Sequence, residues 1–159
     1  MAKSSKQVVL ITGGAMGQGR THAVAFAKAG FDVVLIDMLE PENEIFKETI
    51  ALVRDAGGEV LALQANICST PEVEAAFAQA WEKFGRLDVV VANAGIINFG
   101  YTWELSDEQV ERALAVNLEG TWRTDKYAAI YMRKQGYGRI INISSVSGLK
   151  GTAQLATYC

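Results

Sequence analysis

Three glycines, Gly13, Gly17 and Gly19, follow an apolar run at residues 8–11 and lead into a helical pattern over 18–29. Residues of these types in this order suit the binding of a diphosphate. Glycine lets the backbone turn tightly and approach an anion with no Cβ in the way. The helix N-terminus that follows presents unpaired N–H groups and a partial positive charge. A turn that merely packs a helix against a strand would use the same residues, so the reading needs a second group. Asp37 supplies it, closing the second apolar run where a carboxylate can accept hydrogen bonds from both hydroxyls of an adenosine ribose. Its charge would repel a 2′-phosphate, and neither Met16 within the loop nor Met38 after the acid offers a compensating cation. The expected cofactor is therefore NAD, with NADP disfavoured.

These groups must be held by a regular frame. Apolar runs at 8–11, 33–36, 60–63, 89–91 and 140–143 are short and rich in β-branched residues, with little polar alternation. That pattern predicts strands covered on both faces, as in a parallel sheet. Helical patterns lie between them. Ile45, Thr49, Leu52, Val53 and Ala56 share one face that ends at Gly57-Gly58. Val73, Phe77, Trp81 and Phe84 form a second stripe, with Thr70 as the expected N-cap and Pro71 at the first helical position. Ser106 and Gln109 read as a capping box ahead of Val110, Ala113, Leu114 and Leu118. Alternating strands and helices predict an α/β, doubly wound parallel sheet with right-handed crossovers. Ligands bind such sheets beyond the carboxyl ends of the strands. Asn117 falls on the stripe of Val110 and Leu114, and a buried amide there requires hydrogen-bond partners.

Composition narrows the partners. At 159 residues the chain has the size of one domain, residues 1–159, and half of it is apolar. A net charge of −3 without a basic run gives no footprint for nucleic acid. No apolar stretch reaches membrane-spanning length, and residues 1–6 are too short and polar for a signal peptide, so a cytoplasmic protein with no membrane partner is expected. Cys68, Cys159 and His22 lack the spacing of a metal site. His22 is expected to pack or cap locally. Trp81, Trp103 and Trp122 read as core or interface residues, with Trp103 and the stretch Ile96, Ile97, Asn98 and Phe99 placed where they could border a substrate.

The run Thr12-Gly13, then Gly17-Gln18-Gly19 after three residues, resembles the glycine motif of the short-chain dehydrogenase/reductase family, and four further segments agree. Ala65-Asn66-Ile67 resembles the adenine-pocket segment, with Asn66 where Asp is more usual. Asn93-Ala94-Gly95 is similar to the Asn-Ala-Gly motif that steadies the sheet and lines the nicotinamide side, although Ala92 replaces its frequent first Asn. Asn117 matches the active-site Asn, and Ser145 and Tyr158 stand at the family's usual Ser-to-Tyr separation. The resemblance implies a Rossmann fold with strand order 3-2-1-4-5. It also implies a dinucleotide held by Thr12, Gly13, Gly17, Gln18, Gly19, Asp37, Met38, Asn66, Ile67, Asn93, Ala94 and Gly95.

The implied chemistry is hydride transfer between NAD and an alcohol or ketone. Tyr158 would act as general acid or base, Ser145 would polarise the substrate oxygen, and the Asn117 carbonyl would hold a relay water. A homotetramer or dimer is the implied assembly, using residues 121–135. The family's Lys, four residues after the Tyr, would fall beyond Cys159. Relative to the family the domain is thus expected to be incomplete at its C-terminus, either as the recorded part of a longer enzyme or as a shortened product. The alternative function is a non-catalytic nucleotide-binding fragment or pseudoenzyme. If the strand at 140–143 lacks its neighbour, it should form an exposed apolar edge.

Overall fold

A computed structural model describes residues 4–159. Its strands are β1 (Val8–Thr12), β2 (Asp32–Asp37), β3 (Val60–Gln64), β4 (Val89–Ala92) and β5 (Arg139–Asn142). All pair in parallel, in the order β3-β2-β1-β4-β5 expected from the sequence. The central strands are buried on both faces, which is why they read as continuous apolar runs. Register sets Ile11 beside Leu35 and Val91, so the carboxyl ends of β1, β2 and β4 finish side by side.

Helices cover both faces. On one side α1 (Gly17–Lys28) and α2 (Glu44–Asp55) bury Ala23, Ala27, Phe46 and Val53 against Val9, Ile11, Val33 and Leu35. On the other, α3 (Thr70–Phe84) and α5 (Thr121–Gln135) bury Val73, Phe77, Tyr127 and Met132 against Val8, Leu10, Val34 and Ile36. The helix α4 (Asp107–Leu114) starts at the expected capping box, Ser106 and Gln109 bonding each other's backbone N–H groups. It runs into a π-helical segment, Ala115–Gly120, before α5 begins.

Several local expectations shift. The N-cap of α3 is Ser69, so Pro71 stands at the second helical position, where its missing N–H still costs no helical bond. In α2 the buried stripe is Phe46, Thr49 and Val53, whereas Ile45 and Leu52 face solvent. Thr49 belongs to that stripe because its hydroxyl bonds the Ala15 carbonyl. Leu114, the last residue of α4, and Leu118 are exposed; for Leu118 the π segment changes the helical phase on which it was placed. β5 is exposed along its length, with Ile140 and Ile141 each about two-fifths accessible, and it forms the sheet's outer strand beside β4.

Candidate functional site

In the glycine turn between β1 and α1, close contacts leave no room for a side chain at Gly13 or Gly19, and a positive φ favours glycine at Gly17. Gly13 adopts a φ of +65°, and a Cβ there would lie 2.9 Å from the Ala94 Cα. On Gly19 a Cβ would run into the Gly13 carbonyl. We expect Gly19→Ala to force the turn apart and cost about 1–3 kcal/mol of stability, as overpacking does. Thermal unfolding beside Gly151→Ala, at a position with open space around it, checks this.

Beneath the turn, Thr12 is buried, and its hydroxyl oxygen accepts from the backbone N–H groups of Asn93 (3.1 Å) and Ala94 (3.2 Å). The Asn93 amide donates in return to the carbonyls of Thr12 (3.0 Å) and Gly13 (3.2 Å). The loops after β1 and β4 are thereby fastened to each other.

Asp37 stands at the end of β2, where its carboxylate accepts from Ala15 N at 3.0 Å and from Leu39 N at 3.2 Å. One oxygen holds the glycine turn and the other the chain beyond β2, and each keeps a free lone pair. Arg20 does not answer this charge, because it is tied into α2. It meets Glu48 at 2.7 Å, Thr49 Oγ1 at 2.7 Å and the Ile45 carbonyl at 3.0 Å.

A cavity of about 730 Å³ opens at these strand ends. The turn contributes Gly13, Met16 and Gln18 to its wall, and β2 contributes Ile36, Asp37 and Met38. Ala65, Asn66, Ile67 and Cys68 come from the loop after β3, and Asn93, Ala94, Gly95 and Ile96 from the loop after β4. Asn66 is fixed from both sides: its N–H donates to Glu72, and its side-chain oxygen accepts from Cys68 N. The Asn66 N–H, then the Ser69 hydroxyl, hold the Glu72 carboxyl below the usual carboxylate range. Gly120 packs directly on Ile67, which brings the π segment close enough to close the far wall.

Nine of the twelve residues expected to hold a dinucleotide line this cavity. Thr12 lies beneath it, and Gly17 and Gly19 shape the start of α1. Sequence reasoning missed Arg112, Ala115 and Val116, a helical stripe on the far wall. Their spacing was a usable signal, though an arginine on an amphipathic helix ordinarily reads as solvated. A smaller cavity of about 450 Å³ adjoins, lined by Ile96, Ile97 and Asn98 as expected, together with Glu108, Gln109 and Arg112. Phe99 and Trp103 are exposed, Trp103 stacking on Tyr101 with ring centroids 4.9 Å apart.

The three residues expected to be catalytic, Asn117, Ser145 and Tyr158, lie outside the larger cavity's wall. Asn117 is in the π segment, and its side chain exchanges two 2.8 Å bonds with the backbone of Ile96. Its carbonyl accepts from the Thr121 hydroxyl at 2.9 Å. Ser145 follows β5 and caps a 3₁₀ turn, Val146–Gly148, its Oγ accepting from Ser147 N and leaving its own proton free to donate. Tyr158 is half-buried on a segment docked against the loop after β4, where Leu155 bridges Gly100 and the Gly100 N–H reaches the Gln154 carbonyl at 3.0 Å. Among the described residues no group of His, Cys, Asp and Glu could hold a metal, and no helix is long and apolar enough to cross a membrane.

A glycine turn and a strand-end acid at the centre of a 3-2-1-4-5 parallel sheet define an α/β protein of the Rossmann type. The family model described as short chain dehydrogenase matches residues 7–159, and the chain belongs to that family. It is 41% identical over 157 residues to an uncharacterized NAD-dependent oxidoreductase of Mycobacterium tuberculosis, covering 92% of this chain and 57% of that protein. The (-)-trans-carveol dehydrogenase of Rhodococcus erythropolis is 35% identical, with 99% and 61% covered. A solved carveol dehydrogenase from Mycobacterium avium in complex with NAD superposes with a TM-score of 0.90 at 32% identity, over 98% of this chain and 60% of that one. An actinorhodin polyketide ketoreductase with NADPH superposes at 0.92 and 35% identity, over 99% and 60%. The chain thus spans less than two thirds of the length of these relatives.

Proposed function

We propose that the protein is an NAD-dependent oxidoreductase that interconverts a small-molecule alcohol and ketone. The observation that carries this reading is one cavity whose wall holds Gly13 and Gln18 together with the Asp37 carboxylate, which accepts from Ala15 N within the glycine turn. Bound there, NAD supplies a hydride acceptor at nicotinamide C4. Thr12, Gly13, Gly17, Gln18 and Gly19 shape the diphosphate cradle, and Asp37 accepts from the ribose hydroxyls with its free lone pairs. Met38, Asn66 and Ile67 flank the adenine, while Asn93, Ala94 and Gly95 form the floor toward the nicotinamide. NAD is favoured over NADP because Asp37 repels a 2′-phosphate and Arg20 is held by Glu48 and Thr49.

Ser145 donates its free hydroxyl proton to the substrate oxygen, and Tyr158 takes or returns the proton that accompanies hydride transfer. The Asn117 carbonyl belongs to the same proton path. Chain 1–159 acts as one dinucleotide-binding domain within an oligomer, for which α5 offers a surface, in the cytoplasm.

Asp37→Ala tests the reading. Two hydrogen bonds to a charged acceptor, at roughly 1.5–3 kcal/mol each, predict NADH binding weaker by roughly 10²–10⁴-fold. Titration of NADH fluorescence measures it, with Asp37→Asn expected to lose less and to narrow the preference against NADPH. Unchanged affinity in Asp37→Ala would remove the ribose assignment.

A further inference from the structure

Arg112 is the second formally charged side chain on the larger cavity's wall, besides Asp37, among the described residues. Arg20, Arg86 and Arg123 are each held by a carboxylate. Arg112 forms no ion pair or side-chain hydrogen bond among the described residues, although it stands where the larger and smaller cavities meet. Its position along the cavity is informative. If the turn takes the diphosphate and Asp37 the ribose, the purine must lie beyond, against Ile67, Cys68, Arg112 and Val116. Ile67 is pressed against Gly120, and the Cys68 thiol, which burial pushes up, feels the charges of Arg123, Glu119 and Arg112. The wall at this end is therefore apolar except for one free guanidinium. A guanidinium is planar and weakly hydrated and stacks on aromatic faces, and a purine offers such a face.

We infer that Arg112 contacts the cofactor by laying its guanidinium over the face of the adenine, closing the end of the cavity that α4 and the loop after β3 leave open. The inference rests on the cofactor reading above. It makes Arg112 a contributor to cofactor affinity, independent of the ribose contact at Asp37.

Calorimetry with ADP-ribose on the complete protein tests it, using Arg112→Ala, Arg112→Met and Arg112→Lys. Methionine keeps an apolar stem without the planar cation, and lysine keeps the charge without the plane. The expected result is ADP-ribose affinity about five- to tenfold weaker for both Ala and Met, a smaller loss for Lys, and the same ratios at low and high salt. Wild-type affinity in Arg112→Met would overturn the inference, because stem packing would then account for the residue. A loss that vanishes at high salt would also overturn it, since the partner would be a phosphate. Wild-type protein that fails to bind ADP-ribose defeats the cofactor reading itself, an outcome distinct from equal binding by wild type and variant.

Discussion

Replacing Asp88, the buried acid immediately before β4, by alanine is expected to lower the free energy of unfolding by about 3 kcal/mol. The carboxylate is nearly inaccessible, with 3% of its side-chain surface exposed. It accepts from Arg86 Nε and Nη2, each at 2.7 Å, and from Val8 N at 2.8 Å. Alanine leaves a buried N–H at the head of the central strand unpartnered and the Arg86 cation without its counter-charge. Arg86 is about one quarter exposed, so water recovers part of that loss and holds the figure to the low end of the range for broken buried pairs. Urea unfolding followed by circular dichroism measures it. Asp88→Asn keeps one acceptor and should lose about half as much. Asp107→Ala, in the exposed first turn of α4, should change stability by only about 0.5 kcal/mol.

Tyr158→Phe should lower the turnover of the complete enzyme by about 10²–10⁴-fold, the range for loss of a positioned general acid or base. Phenylalanine keeps the ring and its half-buried packing and deletes only the hydroxyl. NADH affinity is therefore expected to stay within about twofold of wild type, so a loss of kcat without a matching loss of binding separates proton transfer from damage to the fold. Ser145→Ala should act in the same direction, and it also removes the acceptor for Ser147 N, loosening the turn after β5. Steady-state rates with NAD and simple secondary alcohols, together with fluorescence titration of NADH, measure both effects. Turnover of Tyr158→Phe equal to wild type would strip Tyr158 of its proposed role.

The sheet was legible because β1, β2 and β4 are buried on both faces, so each reads as an unbroken apolar run, too short and too rich in Val and Ile for a buried helix. Surface helices were harder to read. α2 carries two apolar edges, and only the sheet and the Ala15 carbonyl decide that Phe46, Thr49 and Val53 turn inward while Ile45 and Leu52 turn out. Leu118 went astray because α-helical periodicity does not survive a π segment, and nothing in Ala115–Gly120 marks one by residue type alone. In the site, the places of Gly13 and Asp37 on the cavity wall could be read because a glycine turn and a strand-end acid both fall at the carboxyl ends of parallel strands. Arg112 was opaque for the opposite reason: its role depends on which neighbours leave it unpaired.

The Thr12–Asn93 fastening has a consequence for how the cleft works. Two peptide segments from strands far apart in sequence are immobilised when the polypeptide folds, so the entropy of arranging them is already spent before any nucleotide arrives. Preorganisation of this kind links recognition to global stability. A lesion remote from the cleft that weakens the middle of the sheet should erode occupancy along with the melting temperature.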